Sequence, residues 1–113
     1  MQIINKGIEL KELKEMADRG FGNFVKAVVD IEKGIMAIDG ELHSDEEALL
    51  LENGSKQENL WGINLYPELK GEDLVEFDSL INLRPFQGNR SRGINDLQIR
   101  QKIGVIVDKL VEK

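Results

Sequence analysis

The chain has no cysteine, two prolines, one histidine and one tryptophan, and aromatics make up only 5% of its 113 residues. Without cysteine there are no disulfides and no thiolate metal sites, although this alone does not fix the compartment. No apolar run approaches the ~20 residues that span a bilayer. The opening stretch MQIINKGIELKELKEM lacks the continuous apolar core of a signal peptide. No membrane association is therefore expected, and the cytoplasm is the expected location. There is no repeat, low-complexity run or linker, so residues 1–113 read as a single domain. A chain of this size buries roughly two-thirds of its unfolded surface and needs no staple. The phosphate-loop pattern G-x-x-x-x-G-K-S/T, the dinucleotide fingerprint G-x-G-x-x-G and the G-x-S-x-G elbow are all missing. No cofactor is expected, and no nucleophile stands in a recognisable frame.

Periodicity supplies the architecture. Residues 1–5 read as a short strand. Residues 9–19 read as a helix with Leu10, Leu13, Met16 and Ala17 as its apolar stripe, ended by Gly20. Phe21 is expected to tuck under that helix. Residues 24–39 read as a β-hairpin, with Val25, Ala27, Val29 and Ile31 on one face and Gly34 in the turn. Residues 44–53 read as a helix with a Ser44/Glu47 capping box. Residues 59–66 and 74–84 read as strands. In the latter, Val75, Phe77, Ser79, Ile81 and Leu83 alternate with Glu76, Asp78, Leu80, Asn82 and Arg84. Residues 96–111 read as a final helix carrying Ile99, Ile103, Ile106 and Leu110. The order β-α-β-β-α-β-β-α predicts an α+β fold: an antiparallel or mixed sheet of about five strands with three helices on one face. Trp61 and Tyr66 are expected to pack in the core or on the sheet. Asn64, Asp78 and Asn82 are expected on its exposed face.

The runs VVDIEKGIMAIDGELHSDEEALLLENGS, LWGINLYPEL and INLRPFQGNRSRGI together resemble an uncharacterised family of small prokaryotic proteins, a domain of unknown function. The resemblance extends roughly from Leu10 to Ile103. It implies a cytoplasmic single-domain protein and no particular activity, so any functional reading rests on residue chemistry.

The net charge of −6 argues against bulk nucleic-acid binding. That average conceals a contrast. Residues 79–95 contain no acid and carry +3 from Arg84, Arg90 and Arg92, so the rest of the chain carries −9. The stretch RPFQGNRSRGIND also holds Gly88 and Gly93 and runs into a helix start, with Asn95 and Gln98 spaced like a capping box. Helix N-termini present free N–H groups, and guanidinium forks suit phosphate or carboxylate. Residues 84–96 thus read as an anion-binding loop formed by Arg84, Gly88, Asn89, Arg90, Ser91, Arg92 and Gly93. The expected partner is an anionic ligand or an acidic protein surface. Self-association, the acidic helices of one copy meeting the basic loop of another, is a further reading.

The second candidate is DGELHSD at residues 39–45. On a strand, Asp39, Glu41, His43 and Asp45 would share a face and could hold a divalent metal. With the arginines orienting a phosphate and His43 as general base, this gives the alternative of a metal-assisted hydrolase. The stretch fails as an EF-hand, since its sixth position is Ser44 and its twelfth Leu50. Helix capping accounts for Asp45 equally well. A binding or interaction protein is the preferred reading over an enzyme.

Overall fold

The computed structural model describes residues 1–113. Short strands β1 (Gln2–Ile4) and β2 (Ile8–Glu9) precede helix α1 (Leu10–Arg19). Strands β3 (Val25–Asp30) and β4 (Ile35–Ile38) form the expected hairpin, with Gly34 at φ +68° in its turn. Buried Asp30 fixes that turn. Its Oδ1 accepts from the N–H groups of Glu32 and Lys33 at 2.9 Å, and its Oδ2 accepts from the Ser55 hydroxyl at 2.6 Å. Helix α2 (His43–Glu52), strands β5 (Leu60–Leu65) and β6 (Val75–Glu76), helix α3 (Leu97–Leu110) and strand β7 (Val111–Glu112) follow. The fold is α+β. Five strands pair in the order β1-β4-β3-β5-β6, antiparallel throughout, and β2 pairs with β7 in a separate parallel ribbon.

The three helices do not share one face, contrary to expectation. Alternation along the central strands is apolar on both sides, so both need cover. Val25, Ala27, Val29, Met36, Ile38, Trp61, Ile63 and Leu65 face α1 and α3, meeting Leu13, Met16, Ala17, Ile103, Val107 and Leu110 in a core of 19 buried residues. Val28, Ala37 and Leu60 face the opposite way and are covered by Leu50 of α2, a satellite of four buried residues flanked by Ile3, Ile35, Leu49 and Ile81. The α1/α3 side therefore supplies most of the apolar burial.

The strand expected over 74–84 survives only as Val75–Glu76. Beyond it the chain turns. The Ser79 hydroxyl accepts from Ile81 N–H, starting a 3-10 turn at Leu80–Asn82. Such side chain to backbone bonds compete with a sheet ladder. The turn reverses the alternation, so Phe77 packs on the large core and Ile81 on the small one.

This leaves the outer edge of β5 without a strand partner from Leu60 to Ile63, and side chains take the strand's place. Asn82 is fully buried rather than on an exposed face. Its Oδ1 accepts from Gly62 N–H at 2.8 Å, and its Nδ2 donates to Gly62 C=O at 2.9 Å and to Arg92 C=O at 3.0 Å. One carboxamide thus reproduces both bonds that a paired residue would exchange. The approach requires glycine: a Cβ on residue 62 would lie 2.6 Å from Ser79 Oγ. Asn64 is likewise buried, donating to Glu76 Oε1 at 2.9 Å. Replacing Asn82 by alanine would leave the N–H and C=O of Gly62 buried without partners, at about 1–3 kcal/mol each, while Arg92 C=O keeps Ser79 N–H at 3.0 Å. N82A is expected to lose at least ~2 kcal/mol in urea unfolding. A loss within the scatter of surface substitutions would contradict the assignment.

Candidate functional site

The loop that sequence reading singles out is built from the β5 edge outward. Arg84 is buried, 3% exposed, and turned inward. Its Nε donates to Ile81 C=O at 2.8 Å, Nη1 to Gln57 C=O at 2.9 Å, and Nη2 to Leu60 C=O. The guanidinium lies 4.6 Å from the Trp61 ring centroid and 3.9 Å from Glu47 Oε2. Burial lowers its pKa, and the Glu47 charge opposes that. Arg84 therefore closes the end of β5 and offers no fork to solvent, which corrects its expected place in an anion site.

Asn89 performs a parallel task. Its backbone exchanges two hydrogen bonds with Arg84 (2.8 and 3.1 Å), closing the tip Pro85–Gly88. Its buried carboxamide donates to the carbonyls of Asn82 at 2.7 Å, Ser91 at 3.1 Å and Gly93 at 2.8 Å, and accepts from Asn95 N–H at 2.9 Å. Asn89 thus also faces inward. Arg92 pairs with Asp78 at 2.7 Å on the surface. Arg90 is exposed, and no carboxylate lies within ion-pair distance of it. The α3 N-cap is Asp96, which accepts from Gln98 N–H at 2.8 Å, not Asn95. A carboxylate therefore already stands where the expected anion would sit at that terminus. Arg90, Ser91, Arg92 and Gly88 remain on the outside, together with three apolar side chains that sequence reading assigned no role. Phe86 is 81% exposed, Leu80 66% and Leu83 47%.

The acidic stretch does not become a metal site. No group of three or more His, Asp or Glu side chains is placed to hold an ion, so Asp39, Glu41, His43 and Asp45 are not brought together. Residues 43–45 are helical, and helical spacing sends alternate residues to different faces. The expected Ser44/Glu47 capping box does not form, because the cap of α2 is Leu42, two residues before Ser44. His43 is buried, and its Nε2 lies 2.8 Å from Ile63 C=O. A carbonyl only accepts, so Nε2 carries the proton and is not free to act as a base. Burial holds the imidazole below its ordinary pKa of 6.5. No hydrogen bond links His43 to the loop at 84–96, so the hydrolase alternative gains no support from their placement.

The neighbouring residue that sequence reading passed over is Glu46. It is fully buried beneath Gly40, where Oε2 accepts from Gly40 N–H at 2.9 Å while Oε1 finds no partner. Burial pushes its carboxyl up to about 9, against the lowering effect of the Gly40 N–H. Its i, i+3 relation to His43 at the helix start was the one available signal, but nothing in the sequence distinguishes it from the exposed acids beside it.

Folded Glu46 is thus protonated at neutral pH, whereas in the unfolded chain it is ionised above about 4.5. Its folded pKa is raised, so its contribution is fully present below the unfolded value and fades as pH rises through about 9. Glutamine keeps the acceptor for Gly40 and removes the titration. The stability difference between E46Q and wild type is expected to move in favour of E46Q by roughly 3 kcal/mol from pH 4.5 to pH 7 in urea unfolding. A pH-independent difference would contradict a buried, neutral Glu46.

No curated protein and no solved structure matches the chain. One family model does, described as Protein of unknown function (DUF5674), and it covers residues 2–110. It takes in the resemblance carried by INLRPFQGNRSRGI, whose Asn82, Arg84 and Asn89 form the network above. The match spans nearly the whole sequence, and the chain belongs to this family of unknown function.

Proposed function

We propose that the protein is a cytoplasmic binding module that offers the loop 80–92 to an acidic protein surface. The observation that carries this reading is an inversion of the usual burial pattern. Asn82, Arg84 and Asn89 are buried at 0–4% exposure, while Leu80 just before them and Leu83 and Phe86 between them stand out into solvent. Burying polar groups is favourable only when every one is paired. Here that pairing holds an apolar loop tip in a fixed shape. Exposed apolar side chains on an ordered support mark recognition surfaces, and a rigid loop loses little entropy on binding. Arg90, with no internal partner, supplies the charge that selects an acidic counterpart. In this reading the anion recognised is a partner's carboxylate, met by Arg90 and flanked by Arg92, with Phe86 entering an apolar recess beside it.

Selection from a randomised peptide display library against the full-length chain tests this directly. Enriched peptides are expected to combine Asp or Glu with aromatic or aliphatic residues, and to bind more weakly as salt rises. F86S and R90A should each weaken that binding by about tenfold or more. Both residues are exposed, so neither change should lower the melting temperature. Peptides that bind equally well to both variants would place recognition elsewhere and overturn the reading.

A further inference from the structure

A second surface lies away from this loop, at a cleft of about 670 Å³ between two segments of opposite charge. The end of α1 and the start of β3 contribute Arg19, Phe21, Phe24 and Lys26. The connection between β4 and α2 contributes Asp39, Gly40, Glu41 and Leu42. Buried Met16 and Val25 supply apolar lining. Phe21 is not tucked under α1 as the sequence suggested. It is 45% exposed and stacks on Phe24 with ring centroids 4.8 Å apart.

The charges of this cleft do not neutralise one another. No ion pair joins Arg19 or Lys26 to Asp39 or Glu41. Lys26 is engaged otherwise, donating to Glu41 C=O at 3.0 Å and standing 4.8 Å from the Phe21 ring centroid. That leaves the Arg19 guanidinium on one segment and the Asp39 and Glu41 carboxylates on the other. The acidic segment is pinned twice: Glu46 accepts from Gly40 N–H, and Lys26 donates to Glu41 C=O. Asp39 itself is held at φ +65°, a left-handed conformation uncommon outside glycine. Opposite charges left unpaired on either side of an apolar, aromatic lining match a small dipolar molecule with an apolar body.

We propose that this cleft binds a free α-amino acid with an apolar side chain. The Arg19 fork would receive its carboxylate, Asp39 and Glu41 its ammonium group, and Phe21, Phe24 and Leu42 its side chain. This site is independent of the loop at 80–92 and stands or falls separately.

The test is a two-dimensional amide NMR titration of the full chain with L-phenylalanine, N-acetyl-L-phenylalanine and L-phenylalaninamide. Phenylalanine is expected to shift the amides of Phe21, Gly40 and Glu41, saturating at millimolar concentration. Each derivative, lacking one charge, should bind at least about tenfold more weakly. R19Q, an exposed substitution, should reduce phenylalanine binding to the level of the amide without altering the amide's own weak binding. Absence of shifts at about 20 mM phenylalanine, some way beyond millimolar affinity, would overturn the proposal. So would equal binding by all three compounds, which would mean an apolar cleft indifferent to charge.

Discussion

A backbone N–H or C=O taken out of water must find a partner, and in this fold that requirement is most acute along the outer edge of β5. Its neighbour β6 pairs only with Asn64 and Leu65. From Leu60 to Ile63 the strand is buried on both faces and lacks a neighbour on that side. The structure meets the need with side chains. The Asn82 carboxamide serves both groups of Gly62, and the Arg84 guanidinium gathers the carbonyls of Leu60, Gln57 and Ile81. A sheet edge covered in this way is also closed to pairing with another chain.

The shape of the loop follows from that solution. Asn82 and Arg84 point inward, so the residues between and beyond them, Leu83 and Phe86, are turned out. Asn89 then ties the returning strand of the loop to Asn82, Ser91 and Gly93. Stability and presentation are in this sense one arrangement. The groups that complete the sheet also orient the loop tip and leave Arg90 at the surface. The same logic appears at smaller scale at the other end of the sheet, where Glu46 and Lys26 hold the connection that carries Asp39 and Glu41.

Much of the fold is legible in the sequence because its periodicities are strong. The stripe Leu13, Met16, Ala17 and the stripe Ile103 and Leu110 point to the helices that are found, and Gly34 marks the hairpin turn. The helix on the second face was foreseeable from Val28 and Ala37, which alternate with the residues assigned to the core and are equally apolar. What could not be read is tertiary. The alternation from Val75 to Leu83 fits a strand, and nothing local reveals that Gly62, far off in sequence, leaves room for Ser79 and accepts Asn82. The arginines illustrate the same limit. Composition places Arg84, Arg90 and Arg92 in one basic loop, yet only the fold separates a buried structural guanidinium from one paired with Asp78 and one left free. Acid clustering likewise points to Asp39, Glu41, His43 and Asp45, whereas the buried carboxyl of that stretch is the neighbouring Glu46.

Native-state hydrogen exchange at Gly62 tests the central interaction most directly. Its amide faces no strand and is held by one side-chain oxygen. If Asn82 completes the sheet, this N–H should exchange only through the global unfolding reaction, with the same protection as the amides of Val28 and Ile63 deep in the ladder. Exchange through a local opening, with the low protection of the loop tip at Phe86, would mean that the edge is not sealed and that the loop has no rigid foundation.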